Sequence, residues 1–181
     1  MMLKTTLVVG ATLVGAGAAG GCAISQSPPA DDRPLEARLG ERVDRWHEAA
    51  ATGDWETYAS LMTDDVVFLG TDKTERWVGR AFEDFARPYF DGPTEYGEGA
   101  WTYEPLSRTV EVRGDVAWWD EVLRSASYGH CRGTGVLVRG EDGAWRIAHY
   151  ALAFLIPNEI AADVTRQGLD FEAATREAPG D

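Results

Sequence analysis

From Leu35 onward the apolar residues recur as Leu35, Leu39, Val43, Trp46 and Ala50, at spacings of four, four, three and four. That period lays one apolar stripe along an amphipathic helix, and it predicts a long helix over residues 35 to 52 with a face to bury. Gly53 is able to take the left-handed conformation that ends a helix, and Asp54 is placed to cap a second, short helix bearing Trp55, Tyr58 and Met62. Val66 to Leu69 reads as a short apolar strand. A third helical stripe carries Phe82, Phe85, Ala86, Tyr89 and Phe90 and stops at Asp91-Gly92-Pro93, with Pro88 expected to kink its last turn.

After that the period shortens to two. Runs rich in Val, Trp, Leu and Ile span Trp101 to Val112, Val116 to Ser125, Cys131 to Arg139 and Ala144 to Ile156, and turns at Arg113-Gly114-Asp115 and Gly140-Glu141-Asp142-Gly143 join two of the pairs as short hairpins. Pro157 stops the last strand, Asn158 caps a terminal helix expected to run through Arg166, and residues 167 to 181 read as a frayed tail. Helices first and an antiparallel meander afterwards is the α+β pattern, with helices gathered on one sheet face. The strand from Val116 to Arg124 carries a Trp and an acid on each face: Trp118 with Asp120 on one, Trp119 with Glu121 on the other. A half-solvated sheet shows cleaner alternation, so the second face is expected to be covered by a partner, most economically a second copy in a homodimer.

The N-terminus changes the setting rather than the fold. Lys4 precedes the Gly- and Ala-rich apolar stretch Leu7 to Ala19, which runs into Ala19-Gly20-Gly21-Cys22. The stretch is short for a membrane span and reads as a secretion signal over residues 1 to 21. Small residues directly before a cysteine resemble the bacterial lipobox, with Ala19 where Leu is usual, and imply lipidation of Cys22. By bacterial sorting rules, Ala23 after it fits placement on the periplasmic side of the outer membrane. Residues 22 to 34, rich in Ser, Pro and Asp, form a flexible tether, residues 35 to 160 the domain and 161 to 181 the helix end and tail. With Cys22 lipidated, Cys131 is left without an intrachain partner, so the core must hold the fold. The net charge of −13 is scattered, which speaks for a solvated surface and against nucleic acid or direct adsorption to anionic lipid. The membrane is reached through the lipid anchor alone.

Several segments together, Val66-Val67-Phe68-Leu69-Gly70-Thr71-Asp72, Thr74-Glu75-Arg76-Trp77, the Phe82 to Phe90 helix, Cys131-Arg132-Gly133-Thr134-Gly135-Val136-Leu137-Val138 and Trp145-Arg146-Ile147 through Ile156-Pro157-Asn158, resemble the SnoaL-like branch of the nuclear transport factor 2-like superfamily over residues 38 to 159. The resemblance implies a cone-shaped, curved antiparallel sheet wrapped around the N-terminal helices, with an apolar cavity at its open end. It implies activity only loosely, because the architecture hosts isomerases, dehydratases, cyclases and binding domains. The expected function is therefore the binding of a small, mostly apolar molecule by an envelope lipoprotein. Two alternatives stand beside it: a cofactor-free isomerase or dehydratase with a cavity carboxylate as general base, and a non-catalytic interaction module whose cavity its own aromatics fill.

Within that frame Asp120, beside Trp118, is the candidate general base, with Tyr150 as the candidate acid. The plainer reading neutralises Asp120 or Glu121 with Arg132, Arg146 or Arg76 across the sheet. Asp72, Glu75, Arg76 and Trp77 form the densest polar cluster, in a connection after a strand, and are candidate ligand contacts together with Trp118, Arg132 and His149. Asp72, Glu75, Arg76, Asp120 and Arg132 are expected to converge at the cavity mouth, although Thr71-Asp72 and Thr74-Glu75 also suit turn caps. Alternation puts His149 and Tyr150 on opposite faces unless a bulge intervenes. His47 reads as an exposed or boundary residue. His130-Cys131 lacks a third ligand at suitable spacing and no glycine-rich phosphate loop is present, so neither a metal nor a cofactor is expected.

Overall fold

The computed structural model describes residues 32–92 and 99–177. The expected signal segment and tether, apart from residues 32–34, together with Cys22 and the last residues of the expected tail, lie outside them. A compact unit begins at Arg33. Its elements are α1 (Leu35–Thr52), α2 (Trp55–Ser60), β1 (Met62–Leu69), β2 (Arg76–Val78), α3 (Arg80–Phe90), β3 (Glu104–Arg113), β4 (Val116–Ser125), β5 (Gly129–Arg139), β6 (Trp145–Phe154) and α4 (Asn158–Glu177).

The local signals act as their chemistry dictates. Gly53 ends α1 at φ 73°, and the Asp54 carboxylate accepts the Thr57 amide at 3.0 Å to start α2. Leu39, Val43, Trp46 and Ala50 are buried along the inward stripe of α1. Helices α1, α2 and α3 lie on one face of the sheet, where Phe82 of α3 stacks on Phe68 of β1 at 4.3 Å and Trp46 of α1 meets Tyr150 of β6 at 4.8 Å. Burying such rings stabilises a core by about 3–5 kcal/mol each as judged by truncation to Ala.

The sheet corrects the expected architecture. It is not curved into a cone and is not wholly antiparallel: it is one open, mixed six-stranded sheet in the order β2-β1-β6-β5-β4-β3, with β2 and β3 as its free edges. Strands β3 to β6 form the expected meander, but β1 returns from the helices to lie parallel to β6. The chain between β1 and β6 makes this possible, because a parallel pair needs a long crossover and β2, α3 and strands β3 to β5 supply one. Two further expectations change. The polar connection after β1 contains a short strand, β2, paired with Val67 to Leu69, and the terminal helix runs to Glu177 rather than Arg166, tied to the β1–β2 connection by Lys73 and Glu172 at 2.6 Å.

Two details of register position the site. On β5, Gly133 and Gly135 stand opposite Glu121 and Trp119 of β4. A Cβ at Gly135 would overlap the Trp119 ring, and one at Gly133 would stand 2.7 Å from the Glu121 carboxylate and 2.5 Å from the Tyr150 hydroxyl. Glycine is required there by space. On β6 the pairing shifts so that Leu137 faces Ile147 while Val136 faces His149, leaving Ala148 as an extra residue. This bulge reverses the alternation, so Trp145, Ile147, Tyr150 and Leu152 all point inward although Ile147 and Tyr150 are three apart.

Candidate functional site

Between the sheet's helical face and helices α1 and α3 lies a pocket of about 380 Å³. Trp46 and His47 of α1, Phe68 of β1 and Tyr150 and Leu152 of β6 line its buried end. Trp77, Phe85, Trp101 and Tyr103 form walls, Thr71 and Glu75 enter from the β1–β2 connection, and the exposed rings of Tyr89 and Tyr128 mark the open side.

His47 reaches this pocket because it stands four residues after Val43 and eight after Leu39, on the inward stripe of α1. It is buried, and its Nε2 lies 2.9 Å from Oε1 of the wholly buried Glu121. An ionised carboxylate only accepts, so Nε2 donates and the neutral ring keeps its lone pair on Nδ1. Trp119 Nε1 donates to the same oxygen at 3.2 Å, and Arg108 binds Oε2 through Nε at 2.9 Å and Nη2 at 2.8 Å. Arg108 is anchored in turn on α1, by the Gly40 carbonyl at 2.9 Å and Asp44 at 2.6 Å. Burial pushes the Glu121 carboxyl up, but the hydrogen bond from His47 and the charge and hydrogen bond of Arg108 outweigh it and hold the group below its ordinary 4.5. Glu121 is thus a fixed anion that orients His47 and offsets a proton taken up by the ring.

Beside this pair the Tyr150 ring sits 6.3 Å from the His47 ring, and its hydroxyl is buried without a hydrogen-bond partner. Burial first, and Glu121 next, push this phenol well above its usual range, so it remains a protonated donor. Trp46 Nε1 is a second buried donor without a partner. Tyr103, 6.1 Å from His47, is likewise pushed up by burial. A base held by an anion, next to unsatisfied donors at the closed end of an apolar pocket, can move a proton on a bound carbonyl or hydroxyl compound. Among the described residues no group of three or more His, Cys, Asp or Glu side chains is placed to hold a metal ion.

The residues singled out in the sequence are dispersed. Tyr150, Trp77 and Glu75 line the pocket, with Trp77 stacked on Phe85 at 3.9 Å. Asp72 is exposed and caps its own turn, accepting from the Thr74 amide at 2.8 Å and hydroxyl at 2.6 Å, which holds its carboxyl low. Arg76 is exposed on β2, opposite Leu69. Asp120 and Arg132 are exposed on the sheet face away from the helices, Trp118 lies there under Arg113 at 5.3 Å, and the bulge turns His149 to that side as well. The five residues expected at one mouth therefore do not converge: strand alternation sends Asp120 outward and its neighbour Glu121 inward. His47, taken as a boundary residue, is the corrected member of the site, and its eight-residue spacing from Leu39 was the signal that could have found it.

Among curated proteins none matches this chain. Solved structures do. An NTF2-like protein of unknown function from Pseudomonas putida KT2440 is 21% identical with a TM-score of 0.57, over 68% of this chain and 89% of that one. The association domain of CaMKII from C. elegans is 18% identical with a TM-score of 0.52, over 64% and 92%. A Streptomyces avermitilis protein of the NTF2-like family, assigned provisionally as a dehydratase, is 21% identical with a TM-score of 0.53, over 67% and 96%. At these identities the likeness concerns the fold, which catalytic and non-catalytic proteins share. The sequence itself matches the model of the SnoaL-like domain across residues 40–157, the span that holds both the pocket and the His47–Glu121 pair, and the chain belongs to that family.

Proposed function

We propose that the pocket binds a small, mostly apolar molecule and that His47, held by Glu121, moves a proton on it, as in a cofactor-free isomerase or dehydratase. The observation that carries this reading is the 2.9 Å contact between His47 and a fully buried carboxylate at the closed end of an open cavity. An interaction module would instead fill its cavity with its own rings and would have no need of a buried base. In the proposed step Nδ1 of His47 removes a proton from carbon beside a carbonyl, the electron pair moves into the new double bond, and the Tyr150 hydroxyl hydrogen-bonds the oxygen that gains charge. Returning the proton to another carbon gives isomerisation, and giving it to a departing hydroxyl gives water and dehydration.

The reading is tested with a panel of cyclic and aromatic ketones in D₂O, following loss of the α-proton signal by NMR. His47→Gln is expected to slow exchange by about 10²–10⁴-fold with the circular dichroism spectrum unchanged, and Tyr150→Phe to slow it less. Exchange that proceeds equally in His47→Gln would end the proton-transfer reading and leave binding.

Two further proposals concern the setting. Lipidation of Cys22 and placement in a bacterial envelope are supported by the apolar leader and the small residues before Cys22. The native protein is then expected to partition with membranes and Cys22→Ser not to. Self-association through the outer sheet face is supported by the half-buried Trp118, Val122, Val136 and Val138 and the exposed Val116, on the face away from α1, α2 and α3. Sedimentation that stays monomeric at high micromolar concentration would remove it.

A further inference from the structure

The pocket's charge is one-sided. Among the described residues that line it there is neither lysine nor arginine, and beside His47 the one ionisable side chain with a formal charge at neutral pH is the Glu75 carboxylate. Glu75 folds back over Gly70, whose missing Cβ leaves the space for it, and one oxygen accepts the Asp72 amide at 3.0 Å. Of the two cations beside it in sequence, Lys73 is engaged elsewhere with Glu172 at 2.6 Å, and Arg76 stands exposed on β2 opposite Leu69. The walls of the pocket are rings: Trp77 stacks on Phe85 at 3.9 Å, Phe85 meets Tyr89 at 5.6 Å, and Tyr89 meets Trp101 at 6.2 Å. Ring faces carry partial negative charge and attract a cation lying over them, most strongly when solvent is excluded. The whole chain, at −13, adds a field of the same sign.

We propose that the ligand is an organic cation, an amine or quaternary ammonium compound with an apolar body, whose charged group sits among Glu75, Trp77, Tyr89 and Trp101 while its body extends toward His47 and Tyr150. This rests on the small-molecule reading above and names the class of molecule. An anionic ligand is disfavoured on the same grounds: it would meet Glu75 and the ring faces with no guanidinium or ammonium in the described lining to receive it. The apolar depth of the pocket accounts for affinity, and the carboxylate with its rings accounts for the choice of charge.

The test uses the full chain and three probes of one shape: naphthylmethyl-trimethylammonium, its neutral tert-butyl isostere and naphthylacetate, with binding followed by tryptophan fluorescence and checked by calorimetry. The cation is expected to bind about tenfold more tightly than the neutral isostere, and the carboxylate more weakly than either. Glu75→Gln keeps an acceptor for the Asp72 amide and is expected to remove most of the preference without changing the affinity for the neutral probe. Tyr89→Leu, at an exposed ring, gives a second and smaller loss for the cation alone. If the neutral isostere binds as well as the cation, the charge preference is overturned and the small-molecule pocket stands. If no probe binds, both are overturned.

Discussion

The two faces of β4 carry the same pair of residue types and meet opposite fates. Trp119 and Glu121 point toward the helices, where Gly135 and Gly133 make room for them and His47 and Arg108 satisfy the carboxylate. Trp118 and Asp120 point away, where Arg113 lies over the indole and the carboxylate is exposed. Nothing in the residue types of the strand separates the two. What separates them is the partner strand, which offers glycine to one face and Thr134 and Val136 to the other. A buried acid of this kind is decided by the space and the cations waiting for it, not by its own propensity.

The widest gap between the faces should appear on truncation. Glu121→Ala leaves Arg108 buried beside an empty site and is expected to cost about 3–5 kcal/mol in urea denaturation, whereas Asp120→Ala should leave the midpoint nearly where it was. Equal effects would mean that the Arg108 and His47 contacts contribute little. The next largest should be Gly135→Ala, which drives a methyl into the Trp119 ring and is expected to destabilise by about 1–3 kcal/mol, against little for Thr134→Ala one residue earlier on the opposite face.

Acid sharpens the same contrast. Glu121 is held below its ordinary 4.5 in the folded chain, so its contribution is fully present above that value and is lost as pH falls through the depressed folded value. The stability advantage of the wild type over Glu121→Gln is therefore expected to shrink as pH falls below about 4.5 and on through the depressed folded value. An advantage that stays constant with pH would show that folding leaves the pKa of the Glu121 carboxyl unchanged. The smallest effect belongs to the outer face: Arg113→Ala should cost about 0.5–1 kcal/mol through the Trp118 ring, and an unchanged midpoint would show that the pair contributes nothing in solution.

Much of this fold was legible from local rules. The α1 stripe, the Gly53 and Asp54 signals and the meander from β3 to β6 each depend on residues a few positions apart, and each lies where its pattern puts it. What escaped depends on distant partners. The three-residue β2 has no period long enough to read, and the parallel pairing of β1 with β6 joins segments some eighty residues apart, so an open mixed sheet stood where a curved antiparallel one was expected. The site suffered most, since its base, anion and guanidinium come from α1, β4 and β3 and only the fold assembles them. Tyr150 was reachable by sequence, but the bulge that turns it inward carries no signature at Ala148.

That extra residue has a bearing on how the strand finds its place during folding. A strand with a single phase can slide by two residues along its neighbour and still present an apolar face, which leaves competing pairings of similar energy. β6 has two phases, one ending at Ile147 and the other beginning at Tyr150. A slide that satisfies one half strands the other, so only one alignment buries Trp145, Ile147, Tyr150 and Leu152 together. Ala148 thus acts as an alignment key between β6 and its neighbours: deleting it should yield a chain that still forms strands but populates shifted pairings, seen as doubled amide resonances along β5 and β6.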